Sequence, residues 1–102
     1  MKRNDGMKNL ETQYDIRKSF YGKAKYFRDY GILFLRSYNT DVAAIVDGTV
    51  YRLWNGYSAT TQRHINEFLL QAGYREYTGK AAWEKVQYID KYDLIEKVRN
   101  AA

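Results

Sequence analysis

Residues 42–54 read VAAIVDGTVYRLW, and residues 57–73 read YSATTQRHINEFLLQAG. These two stretches decide the fold. In the first, the apolar run Val42–Val46 and the alternating run Thr49–Trp54 are separated by two residues, Asp47-Gly48. That pair suits a type I′ turn, whose two central residues take positive φ and whose twist matches flanking antiparallel strands. In the second, Ser58 is placed to cap a helix through its hydroxyl, with Thr60 as the other candidate. Ile65, Phe68, Leu69 and Ala72 recur at i, i+3, i+4 and i+7, one face of a helix. Arg63, Asn66, Glu67 and Gln71 fall away from that face. Gly73 then stands where a left-handed C-terminal cap is expected.

Working outward, Asp29-Tyr30-Gly31 is a second turn, between Gly22–Arg28 and the mostly apolar Ile32–Ser37. Tyr14, Ile16 and Phe20 hint at a further extended segment. Residues 1–13 read as a loose arm with a short helical turn around Met7–Leu10, and residues 14–102 as a single domain. Toward the C-terminus, Lys80–Tyr88 reads as a helix with Trp83 and Val86 inward. Asp93-Leu94-Ile95-Glu96 has capping-box spacing, with a last helical stretch to Arg99. The expected fold is α+β: an antiparallel sheet of about four strands in two hairpins, a helix packed on one face, and C-terminal helices.

Composition excludes several classes. There is no cysteine, so disulfides and thiolate metal sites are out. No apolar run approaches a membrane span, and the N-terminus lacks the apolar core of a secretory signal. The expected setting is the cytoplasm. Net charge is +5. Residues 1–40 hold nine Lys/Arg against four Asp/Glu, and residues 41–102 hold eight of each, so all the excess lies in front. That imbalance suits an anionic partner, or simply a solvated surface. Tyrosine is abundant, with 11 copies, and suits half-buried contact positions.

A search for catalytic chemistry finds no phosphate-cradling glycine motif and no activated nucleophile near Ser19, Ser37 or Ser58. His64 is the lone histidine and is expected to be structural or superficial. The carboxylates are scattered. No enzyme activity, metal or cofactor is expected. Trp54 and Trp83 are expected in the core. The candidate partner-binding or nucleic-acid-binding residues are Arg17, Lys18, Lys23, Lys25, Arg28 and Arg36, interleaved with Tyr21 and Tyr30. Cations track phosphates, and exposed aromatic rings stack on unpaired bases. Strand alternation puts Lys23 and Lys25 on one face, with Ala24 and Tyr26 on the other.

Tyr14-Asp15-Ile16-Arg17-Lys18-Ser19-Phe20-Tyr21-Gly22-Lys23-Ala24 resembles the opening of a small uncharacterised module of Gram-positive phages and mobile elements. Ser37-Tyr38-Asn39-Thr40, Val42-Ala43, Asp47-Gly48 and the string from Tyr57 to Leu69 resemble its middle and end. The resemblance implies a setting in which small cofactor-free proteins inhibit host defence, as type II-A anti-CRISPR proteins block Cas9 or its guide-RNA complex. The basic front half departs from acidic, DNA-mimicking inhibitors and suits competition for guide RNA or for an acidic protein patch. The first expectation is therefore a non-catalytic inhibitor of a Cas9-type complex. The second is a nucleic-acid-binding accessory protein of phage replication or regulation. The third is a structural or oligomerising phage protein, with a homodimer formed through a free sheet edge.

Overall fold

The computed structural model describes residues 6–17 and 20–101. It is an α+β fold built on one antiparallel sheet. The strands are β1 (Lys8–Asn9), β2 (Ala24–Asp29), β3 (Ile32–Ser37), β4 (Thr40–Val46) and β5 (Thr49–Arg52), paired side by side in chain order. Five strands form where the sequence suggests about four. The fifth comes from the segment read as a loose arm. Lys8 and Asn9 pair with Tyr26 and Lys25, and Leu10 enters the core.

The turns follow local chemistry. Asp47 and Gly48 take φ of 51° and 76°, and Tyr30 and Gly31 take 56° and 76°. The expected four-residue loop after Ser37 is a tighter link, because Ser37 pairs with Thr40 across Tyr38-Asn39. The result is a continuous meander rather than two separate hairpins. One step from Leu35 to Arg36 spans two on β4, from Ala43 to Asp41. The extra residue is Val42, a bulge that turns Val42 and Ala43 toward the same core.

Because side chains alternate across strands, the sheet feeds two cores. On one face Leu35, Ala43, Ile45 and Val50 pack with Ile65, Phe68 and Leu69 of α1 (Ala59–Ala72). Ser58 accepts the Thr61 N–H at 3.0 Å, and Gly73 closes α1 at φ 92°. Ala72, expected on the apolar face, is exposed, at the edge of a hollow bordered by Leu10, Tyr26 and Phe68. On the other face Phe27, Ile32, Phe34 and Tyr51 pack with Leu94 and Ile95 of α3 (Lys91–Ala101). The sheet thus lies between helices.

Two expected elements differ. Residues 14–17 form bends, not a strand. The helix expected over Lys80–Tyr88 stops early, as α2 (Lys80–Trp83). Beyond it the chain serves the sheet instead. The Arg52 N–H donates to Gln87 O at 2.8 Å, and the Ile89 N–H donates to Arg52 O at 2.9 Å. This pairing closes part of the β5 edge, and the opposite edge is the two-residue β1. Trp83 and Val86 are buried as expected. The capping-box residues do not start α3. Asp90 does, its carboxylate accepting the Tyr92 N–H at 3.0 Å.

Candidate functional site

One end of the sheet gathers several of the candidate residues. Ala24 pairs with Ser37, so the start of β2 and the end of β3 lie side by side. Each is reached through a tight turn. Before β2, Tyr21 and Gly22 take φ of 55° and 73°, and the Lys23 N–H closes onto Phe20 O at 2.9 Å. After β3, Tyr38 takes φ 57° and its N–H donates to Lys23 O at 2.7 Å. The first turns of α1 lie over this end. Together they enclose a recess of about 230 Å³ lined by Arg17, Tyr21, Lys23, Tyr38, Arg63 and His64 among others. No carboxylate lines it.

The floor of the recess is a buried polar chain. Ser37 Oγ lies 2.8 Å from His64 Nδ1 and 3.0 Å from Thr61 Oγ1. His64 is 1% exposed, its ring 4.5 Å from that of Phe20 and 5.8 Å from that of Tyr38. Burial pushes His64 down to about 4, with the Asp15 charge opposing that shift and the Arg63 charge adding to it. The ring is therefore neutral near pH 7, and the charge of the recess comes from Arg and Lys. Serine and histidine here sit at the distance of a nucleophile and base. Ser37 Oγ, however, is buried and already engaged by two partners, so this chain reads as a satisfied core network.

That network carries a pH signature. The unfolded histidine binds a proton near 6.5 and the folded one only near 4. Stability held by the neutral ring is fully present above 6.5 and is lost as pH falls from 6.5 to 4. At ~1.4 kcal/mol per unit, the loss is about 3 kcal/mol. Melting temperatures should fall across this window, and His64→Gln should flatten the slope there. Asp41 contributes its own acid loss at lower pH. Its burial opposes ionisation, but hydrogen bonds and charge from Arg36 and Lys91 outweigh that and hold the carboxyl below its ordinary 3.8.

A second buried group positions the recess. Glu67, expected on the outer side of α1, is 1% exposed. Its carboxylate accepts the backbone N–H groups of Gln13 at 2.7 Å, Tyr14 at 3.0 Å and Asp15 at 2.8 Å, and Gln71 Nε2 at 2.5 Å. Arg63 pairs with Asp15. These contacts clamp residues 13–17 against α1 and deliver Arg17 to the recess. They also leave Tyr14 and Ile16 outward, Ile16 at 89% exposure.

The nominated residues separate accordingly. Arg17, Tyr21 and Lys23 meet at the recess. Lys23 lies in the turn before β2, so it does not share a face with Lys25. By strand alternation Lys25 faces the α3 side, while Tyr26 packs on the α1 core. Arg36 is occupied by Asp41 at 2.7 Å, and Asp41 also accepts from Lys91 at 2.6 Å. Arg28 borders a different hollow with Leu10 and Phe68, and Tyr30 another with Lys91 and Arg99. Lys18 lies outside the described residues. Tyr38, Arg63 and Glu67 were not nominated. For Arg63 and Glu67 the signal was a second helical stripe, Thr60, Arg63/His64, Glu67 and Gln71, running beside the apolar one; Tyr38, in the turn after β3, had none.

A five-stranded antiparallel sheet between helices, with a cationic, tyrosine-lined recess at one end, defines a small α+β protein with a candidate binding site. The chain belongs to a family of unknown function, DUF8033, whose model matches residues 8–85. No curated protein and no solved structure matches it. Among the described residues, no helix is long and apolar enough to cross a membrane.

Proposed function

We propose that the protein acts by binding rather than by catalysis, as an inhibitor of a Cas9-type host defence complex, with the recess end of the sheet as its contact. One observation carries the proposal. Arg17, Tyr21 and Lys23 converge with Tyr38 and Arg63 around a recess that no carboxylate lines. Such a surface favours an anionic partner and speeds its encounter. Guide RNA has that character, and so does an acidic patch on the protein of the complex. The resemblance to mobile-element modules supplies the setting.

Cas9 cleavage assays test this, with the protein added before or after guide loading. Inhibition is expected when it is added before loading, and should be lost on joint Arg17→Glu and Lys23→Glu substitution. Lys25→Glu, on the opposite face, should leave inhibition intact. No inhibition in either order, across several type II-A enzymes, overturns the proposal.

The exposed rings of Tyr21 and Tyr38 beside these cations favour a second reading, a nucleic-acid-binding accessory protein. It is distinguished by oligonucleotide binding without Cas9 inhibition.

A further inference from the structure

We infer that the recess is a subsite for one nucleotide of a single-stranded nucleic acid, its phosphate held by Arg17 and Lys23 and its base lying on the rings of Tyr21 and Tyr38. The inference rests on the site named in the proposed function and gives it a ligand chemistry.

The cations come first. Arg17 and Lys23 form no ion pair with a carboxylate among the described residues, whereas Arg36, Arg63 and Lys91 each do. The first turn of α1, which borders the recess at Thr60, contains no acidic residue to offset the positive end of that helix. Among the described residues, two positive side chains therefore face the recess without an ion-pair partner; the Asp15 carboxylate pairs with Arg63 and accepts only the backbone N–H of Arg17, at 2.8 Å.

The rings come second. Tyr21 is 84% exposed and Tyr38 is 49% exposed. Both project from turn positions at positive φ, where glycine fits at no steric cost and a bulky residue is disfavoured. A strained position filled by a large exposed ring points toward use of that ring. Tyr30 has the same backbone setting at the far end of the sheet, so the turn alone does not make the case. What singles out Tyr21 and Tyr38 is their convergence on one recess with two cations that have no ion-pair partner among the described residues. Lys23 Nζ stands 5.8 Å from the Tyr38 ring centre, within reach of the phosphate of a base lying on that ring.

Size and chemistry favour a single strand over a duplex. A recess of about 230 Å³ is smaller than the roughly 300–1,000 Å³ that surrounds a drug-sized ligand. It takes one nucleotide component, not a helix. Aromatic rings at its wall can stack only on a base that is not already paired and stacked. Every base offers a flat face, so sequence preference should be slight.

Fluorescence anisotropy with a labelled oligouridylate of about ten nucleotides tests the inference, repeated over a range of salt concentrations. The joint variant Tyr21→Gly and Tyr38→Gly keeps the turn geometry available and should retain its circular dichroism spectrum. It should bind about tenfold or more weakly with an unchanged salt slope. Joint Arg17→Gln and Lys23→Gln substitution should flatten the slope by about 0.7, one phosphate on a single strand. Lys25→Gln should change neither. The inference is overturned by absent binding at low salt, by duplex RNA of the same length binding equally well, or by a folded tyrosine variant that binds as the parent does. Cas9 inhibition without oligonucleotide binding would sink this inference alone and assign the recess to an acidic protein surface. Binding with the expected pattern but no Cas9 inhibition would uphold it and remove the Cas9 proposal.

Discussion

Glu67→Ala is expected to destabilise the protein by about 3 kcal/mol and to free residues 13–17 from α1. The carboxylate is buried and accepts three consecutive backbone N–H groups, from Gln13, Tyr14 and Asp15. Hydrogen bonds to an ionised acceptor contribute more than neutral ones, and their loss leaves donors without partners. Solvent reaches these exposed-segment amides once the clamp is gone, which limits the cost. Glu67→Gln should fall between, since its amide keeps one acceptor oxygen but turns an NH2 toward N–H donors. Urea denaturation gives the stability change. Hydrogen exchange at residues 13–15 should quicken far more than in β3. Because Arg17 rides on this segment, binding at the recess should weaken in the same variant.

Leu94→Ala is expected to cost about 3 kcal/mol, and for a different reason. Leu94 is wholly buried and, with Ile95 and the half-buried Val98, is what α3 contributes to the second core. Its removal leaves a cavity against the sheet face that carries Phe27 and Phe34, whose rings stack at 5.1 Å. Lys91 and Asp41 still tether the start of the helix, but at a partly solvated site where an ion pair contributes modestly. Chemical denaturation should show the loss as a lower midpoint. Binding at the recess, on the opposite face of the sheet, should be unaffected. The two substitutions therefore separate the scaffold from the site.

The legible parts of the fold were those written locally. Asp47-Gly48 demands its turn, and Ser58 and Gly73 mark a helix that the stripe Ile65, Phe68 and Leu69 fills in. What escaped were choices made by tertiary partners. Nothing near Gln87 signals that the chain leaves its helix to bond Arg52. Nothing in Lys8-Asn9 signals a strand without β2 beside it. Glu67 looks like an ordinary outward acid until residues 13–15 arrive to be bound. The site was half legible for the same reason. Arg17, Tyr21 and Lys23 lie close in sequence and were nominated together. Tyr38 and Arg63 join them only because β3 returns beside β2 and α1 folds over both. Lys25, Arg28 and Arg36 share their composition but not their place: alternation turns Lys25 to the α3 side, the Asp41 ion pair holds Arg36, and Arg28, though on the α1 side, lies toward the other end of β2.

On the proposed reading, the sheet and α1 are scaffold and the turns carrying Tyr21 and Tyr38 are the contact. Backbone amide NMR during titration with a short single-stranded oligonucleotide tests that most directly. The expected result is a set of shift changes confined to Arg17, Phe20–Lys23, Tyr38–Asn39 and Thr60–His64. Changes centred instead on Lys25, Arg36, Lys91 and Arg99, or no change at low salt, would contradict it.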